Sequence, residues 1–202
     1  MSKVKFTKGE LKRQRQLLEQ YKRYLPILQL KKQQLQIEVQ KQEELFKKKQ
    51  DLLRQKKSFI LRWIGLVKVE EVKLTPWIRP ERVNFTYKNI AGVEFPVFLN
   101  LEFIPLEYDL FIQPVWFEKT VEILRDFVSL IEEIKVIRIA LEILKEQLQI
   151  TIQRVNLFEK VKIPQTEETI RRIKIYLGDL FISEVCRSKI AKKKLQSSFV
   201  GG

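Results

Sequence analysis

Two stretches of this chain repeat apolar residues every seven positions, and that pattern constrains the fold more than anything else in it. In the first, Leu11, Leu18, Leu25, Val39, Phe46, Leu53 and Ile60 share one row, with Lys32 its polar member. The companion row, Gln14, Tyr21, Leu28, Leu35, Gln42, Lys49, Lys56 and Trp63, is apolar in half its places. In the second stretch the rows are Phe127, Ile134, Leu141, Leu148, Val155 and Leu130, Ile137, Leu144, Thr151, Phe158. Paired rows of this period form the seam of a coiled coil. Residues 8–63 hold one Pro and one Gly (Pro26, Gly9), and 117–162 hold neither, so little interrupts either helix. At 1.5 Å per residue the two helices run roughly 80 and 70 Å.

The finer pattern gives further expectations. Leu45, Leu52 and Phe59 widen the first seam on its far side. Glu19/Arg23, Glu43/Lys47 and Glu44/Lys48 are acid-first i,i+4 pairs that suit an exposed helix face. Pro26 predicts a kink and Pro164 a break, because proline removes an intrahelical bond and crowds the preceding turn. After Pro164 the residues Ile170, Ile173, Leu177 and Leu180 form a new amphipathic stretch. Its phase is one residue out from the seam before it, as a reset at Pro164 would give. Gly178 weakens this stretch, Cys186 reads as a small packing residue, and residues 195–202 read as a frayed tail.

The centre has a different pattern. Five of the seven prolines (Pro76, Pro80, Pro96, Pro105, Pro114) fall in residues 64–116, with Gly65, Gly92 and a concentration of aromatics. Residues 82–88 alternate polar and apolar, as does 93–103 in part, and Asn89-Ile-Ala-Gly92 supplies a turn between them. This predicts a β-hairpin that includes Gly92, Val93 and Pro96, inside an insert too small for a domain of its own. The aromatics are expected to form a local core, with Trp77 or Trp116 exposed as a partner anchor.

The expected fold class is mainly α: a long antiparallel two-stranded coiled-coil hairpin of N- and C-terminal helices, with a small aromatic-rich insert containing the β-hairpin. The segments are 1–63, 64–116, 117–194 with a break near 164, and the tail 195–202. Such an arrangement puts both chain ends at one end of a rod. Charge then takes on a location. Of the formal +14, residues 1–62 carry 18 Lys and Arg against 6 Asp and Glu, and residues 165–202 carry 8 against 4. The candidate basic tip is Lys12, Arg13, Arg15, Lys22 and Arg23 with Arg187, Lys189, Lys192, Lys193 and Lys194.

Chemistry is largely excluded. The chain has no His and one Cys, so it offers no Ser-His-Asp triad, no imidazole zinc site and no disulfide framework. It lacks the glycine-rich phosphate cradles. Glu132 and Glu133 are neighbours about 100° apart on a helix, not a catalytic pair. No catalytic residue, cofactor or metal is expected. With no apolar run long enough to span a bilayer and no signal-type N-terminus, the expectation is a cytoplasmic protein.

At residues 153–164 the sequence reads Gln-Arg-Val-Asn-Leu-Phe-Glu-Lys-Val-Lys-Ile-Pro. This resembles the R-V-N-x-x-E-x-x-x-I-P signature of the D subunit of V-type and archaeal-type ATPases, carried here by Arg154, Val155, Asn156, Glu159 and Pro164. Leu28-Gln-Leu-Lys-Lys-Gln-Gln-Leu35 is similar to that family's L-x-x-K-x-x-x-L stretch. Asn89-Ile-Ala-Gly-Val-Glu-Phe-Pro96 is similar to its G-V-x-x-P element. The resemblance covers most of the chain in order. It implies a non-catalytic rotor shaft of the central stalk. The helices would enter the bore of a catalytic hexamer of A- and B-type subunits. A small F-type companion would sit alongside, and a C/d-type socket subunit would link the shaft to the membrane ring. The complex would couple ATP hydrolysis or synthesis to H⁺ or Na⁺ translocation, with the shaft peripheral to the membrane. The basic tip would then face acidic surfaces of the head, and the signature residues would meet the companion or the N-terminal helix.

Three other classes remain at this point. A basic coiled coil that binds nucleic acid or acts as a scaffold fits the net charge, but the aromatics sit in the one net-acidic segment rather than among the lysines. A membrane-binding coiled coil would line one face with charge, not a tip. An enzyme lacks an assembled acid, base and nucleophile.

Overall fold

The computed structural model describes residues 5–63, 74–105, 114 and 116–199. Parts of the expected insert (64–73, 106–113, 115) and the end of the expected tail (200–202) lie outside the described residues. The elements are α1 (Lys8–Trp63), the single turn α2 (Thr75–Ile78), β1 (Pro80–Ile90), β2 (Val93–Phe103), α3 (Phe117–Leu157), a π-helical turn (Phe158–Lys162) and α4 (Ile163–Phe199). The fold is mainly α with one antiparallel hairpin. The chain divides into two compact units, one of residues 1–30 with 151–202 and one of residues 31–150.

Helix α1 starts where Thr7 caps it. The Thr7 hydroxyl accepts the Glu10 N–H at 3.2 Å, and Thr7-Lys8-Gly9-Glu10 has the spacing of a capping box. The helix then passes through Pro26 without interruption.

In the unit of residues 31–150, α1 and α3 run antiparallel. Lys49 Nζ lies 2.8 Å from Glu133, Lys56 3.5 Å from Asp126, and Lys145 2.6 Å from Glu43, so partner numbers fall on one helix as they rise on the other. Leu35 and Val39 of α1 meet Ile137, Ala140, Leu141 and Leu144 of α3, as the heptads predict. Val93 and Phe95 of β2 complete this core. The hairpin therefore lies flat on the helix pair and does not enclose a core of its own. A second cluster joins Leu74, Phe117 and Val121, with Trp77, Trp116 and Leu124 packed against it. The expected local aromatic core forms in part, through Trp77 and Trp116, while Phe95 belongs to the helix core instead. The helices bury Phe95 completely, Trp77 and Trp116 are half-buried against Leu74 and α3, and among the described aromatics of 64–116 Phe85 and Tyr87 are exposed.

Leu45, Leu52 and Phe59 are also corrected. They are exposed, because on an α-helix each sits about 100° from the inward row of Val39 and Ile60, which are buried, and Phe46 and Leu53, which are half-buried. Of the three expected i,i+4 pairs, Glu19/Arg23 forms at 3.6 Å, whereas Glu43 reaches across to Lys145. That contact holds the Glu43 carboxyl below its ordinary 4.5, first through the hydrogen bond and then through the ammonium charge. A carboxyl lowered by folding adds stability that is complete above pH 4.5 and fades as pH falls through the lowered value. Replacing Glu43 with Gln is therefore expected to flatten the acid limb of a Tm-against-pH curve and leave the neutral region within a small offset. An unchanged acid limb would contradict this.

In the unit of residues 1–30 and 151–202 the helices are again antiparallel. Tyr21 packs on Phe158 with ring centroids 5.3 Å apart, Lys22 lies 2.7 Å from Glu167, and Phe6 packs on Tyr176 at 5.2 Å. Val155, Ile170 and Ile173 are its buried apolar residues. Pro164 does not break the helix as expected. The chain widens one step earlier into the π turn, where the Ile163 N–H bonds the Phe158 carbonyl five residues back. That turn inserts one residue, which accounts for the one-residue phase slip read in the sequence. Pro164 then sits in the first turn of α4, where its missing N–H costs little. Helix α4 also runs through Gly178 and as far as Phe199, into the stretch read as a tail.

Candidate functional site

Three groups of residues were singled out by the sequence, and the structure places them differently. The first is the basic tip. All ten of its residues are exposed. Arg13 lies 3.8 Å from Glu10 and Arg23 3.6 Å from Glu19 within α1, and Lys22 lies 2.7 Å from Glu167 of α4. The C-terminal half of the set is arranged otherwise. Since Phe6 meets Tyr176, residues 187–194 lie at least ~15 Å further along α4 than the start of α1, at 1.5 Å per residue. The two halves therefore follow one another along this unit rather than lying side by side. Residues 178–194 of α4 are exposed throughout. They include Phe181, 66% exposed, with Ile182 and Ile190. Cys186, expected to pack, is exposed with them as a free thiol, because no described residue of α1 reaches that far.

The second group is the Arg-Val-Asn segment. Only Val155 is buried. Arg154, Asn156, Glu159 and Pro164 are exposed, and neither Arg154 nor Glu159 makes an ion pair with a described residue. The seam contact of this segment passes through Val155 and through Phe158 on Tyr21, so its polar members face outward.

The third group is the hairpin turn. Ala91 and Gly92 both adopt positive φ, 53° and 73°. A two-residue loop with this geometry matches the right-handed twist of the strands it joins. Asn89 Oδ1 accepts the Gly92 N–H at 3.1 Å, which closes the corner. Gly92 tolerates the left-handed conformation that a side chain resists. Val93 turns into the helix core, and Pro96 pairs with Tyr87 on the opposite strand.

One residue that the sequence does not mark stands out. Arg125 of α3 donates from Nε to the Trp77 carbonyl at 2.9 Å and from Nη2 to the Ile104 carbonyl at 2.5 Å. Its guanidinium lies 5.0 Å from the Phe103 ring centroid. A single side chain thus ties both ends of the hairpin segment to α3. Burial lowers its pKa from the ordinary value, yet arginine stays charged. An arginine whose partners are main-chain carbonyls has no acidic residue in the sequence to reveal it.

Glu132 and Glu133 diverge to Lys135 and Lys49. Among the described residues no group of three acidic, Cys or His side chains is placed to hold a metal. None of the described helices is long and apolar enough to cross a membrane.

Comparison with known proteins gives a consistent result. The family model for the D subunit of ATP synthase matches residues 10–193. The V-type ATP synthase D subunit of Borreliella burgdorferi is 43% identical, with 96% of each chain covered. Those of Chlamydia abortus and Chlamydia pneumoniae are 33% and 30% identical, again over 96% of this chain and over 95% and 93% of theirs. A basic helix pair, a hairpin on its flank, an outward-facing Arg-Val-Asn segment and this end-to-end similarity lead to one conclusion: the chain belongs to the D-subunit family of ATP synthases, as a component of a V-type ATP synthase.

Proposed function

We propose that this chain is the central rotor shaft of its complex, peripheral to the membrane on the cytoplasmic side, and that it carries torque between a catalytic hexamer of A- and B-type subunits and the membrane ring. The observation that supports this most is the uncovered end of α4. Residues 178–193 present apolar and basic side chains to which no other described element is opposed, which suits a helix that is completed inside another subunit assembly. Paired helices supply bending and torsional stiffness at low mass. Exposed Lys and Arg suit a part that must leave each angular position easily, since each surface ion pair is worth only ~0–1 kcal/mol. The shaft does no bond chemistry itself. ATP hydrolysis in the head would turn it one way, and ion flow through the ring the other.

The remaining partners follow from the same reading. Arg154, Asn156 and Glu159 face outward beside the buried Val155 and offer hydrogen-bonding groups to the F-type companion. A C/d-type socket subunit would receive the end of the shaft nearer the ring.

The test is charge neutralisation at the uncovered helix end. With Arg187, Lys189, Lys192 and Lys193 replaced by Gln, assembly with the A/B hexamer at low salt is expected to weaken by about tenfold or more, with each lost contact contributing up to ~1 kcal/mol. The difference from the unmodified chain should shrink as salt rises. Co-purification of the unmodified chain should recover the hexamer and one small companion in single-copy ratio. Unchanged assembly and unchanged turnover in the variant would reject the role of this helix end. Recovery of nucleic acid alone, bound with a steep salt slope, would favour the nucleic-acid alternative.

A further inference from the structure

Among the described residues the sheet holds only β1 and β2, so the hairpin has two open edges there, and they are not equivalent. Ile90 and Val93 flank a two-residue turn and so form a hydrogen-bonded pair. Bonded and non-bonded pairs then alternate along an antiparallel ladder. In the observed register Asn89↔Glu94, Tyr87↔Pro96 and Phe85↔Phe98 are the non-bonded pairs. Residues at such pairs point their N–H and C=O groups away from the partner strand. On β2 the middle one of the three is Pro96, which has no N–H to offer, so that edge is blunted. On β1 all three are intact. Phe85, Tyr87 and Asn89 present a row of unpaired main-chain donors and acceptors, ended by the irregularity at Asn84/Phe85.

The surroundings specify what could pair there. The β1 residues that alternate with Lys88 and Thr86 put Phe85 and Tyr87 on the face opposite Phe95, where the two rings meet edge to face at 5.6 Å. Tyr87 is 66% exposed. Beside the strand runs a groove of about 380 Å³ lined by Lys88 of β1 and by Lys41, Lys48, Leu45, Glu38 and Glu44 of α1. Glu38 is already engaged, by Gln42 at 3.0 Å and by Lys88 at 3.8 Å. With Lys88 engaged by Glu38, Lys41 and Lys48 outnumber Glu44 among the remaining charges of the groove, which favours an acidic occupant. A second copy of this chain is disfavoured, since it would bring another +14 to the same place.

We infer that the free edge of β1 over residues 85–89 is a strand-addition site for an extended acidic segment of a neighbouring subunit. Main-chain bonds to Phe85, Tyr87 and Asn89 supply the pairing. Apolar side chains of the added strand lie over Phe85 and Tyr87, and its carboxylates meet Lys41 and Lys48. The site requires only that the chain assembles with other subunits, so it stands or falls separately from the rotor role.

Residue-resolved hydrogen exchange on the isolated chain and on the assembled ATP synthase tests this. The amides of Phe85, Tyr87 and Asn89 are expected to exchange freely in the isolated chain and at least a hundredfold more slowly in the complex, as ladder amides do. Tyr87→Pro removes one outward N–H without touching the ladder to β2, and Tyr87→Val removes the ring but keeps the N–H. The proline variant is expected to incorporate about tenfold more weakly than the valine variant, the equivalent of one lost main-chain bond. Equal helix content and equal Tm of the two isolated variants show that both fold. The inference is overturned if those amides are already protected in the isolated chain, if they stay fast in the assembled complex, or if the two variants incorporate equally. It is also overturned if protection appears with chain concentration alone, which would make the occupant a second copy.

Discussion

Replacing Phe95 with alanine is expected to destabilise the chain by about 3–5 kcal/mol, the range for truncating a fully buried aromatic side chain. Phe95 is 0% exposed and is the largest side chain joining β2 to both helices. Around it stand Leu35 and Val39 from α1 and Ile137, Ala140, Leu141 and Leu144 from α3. Removing the ring leaves a cavity between three elements that cannot all close on it. Urea unfolding followed by circular dichroism should show a lower midpoint. Hydrogen exchange should show the hairpin opening before the helices. Phe85→Ala, on the exposed face of the same hairpin, is the control. If the two substitutions cost the same, the hairpin does not sit on the helices through Phe95.

The second large effect belongs to Arg125. Arg125→Ala removes two charge-assisted hydrogen bonds to main-chain carbonyls and a cation–π contact, an expected loss of about 1–3 kcal/mol. The loss should be local. Proteolysis and hydrogen exchange are expected to rise around Trp77 and residues 103–105, with the α1–α3 core unchanged. Arg125→Lys should restore little, because one ammonium cannot bond both carbonyls and also lie over the Phe103 ring. Full rescue by lysine would mean that charge alone, not the planar fork, does the holding.

These residues mark the limits of the sequence. The helix pair was legible because a heptad row can face only one neighbour: Leu35, Val39, Ile137, Leu141 and Leu144 are buried where the pattern puts them. The hairpin was legible because its alternation stops at Asn89-Ile-Ala-Gly92. Its orientation was not, because alternation separates Phe85 and Tyr87 from Phe95 without saying which side meets the helices. The partners of Arg125 are carbonyls, which every residue has, so no side-chain pattern announces them. The candidate basic residues were legible as charge, but the sequence could not place their two halves in succession along the helices. The slip of one residue after Phe158 was visible too. A proline suggested a break, whereas the backbone answered with a wider turn and kept the helix.

That wider turn governs which residues the seam receives. Continued without it, the rows of α3 would pass through Lys162, Gln165, Thr169, Arg172, Tyr176 and Asp179, a nearly continuous polar track. With the extra residue they pass through Ile163, Thr166, Ile170, Ile173 and Leu177, of which Ile170 and Ile173 are buried. The π turn therefore works as a frameshift within the folded chain. It changes no residue, yet it decides whether the last fifth of the chain offers α1 its apolar side or its charges.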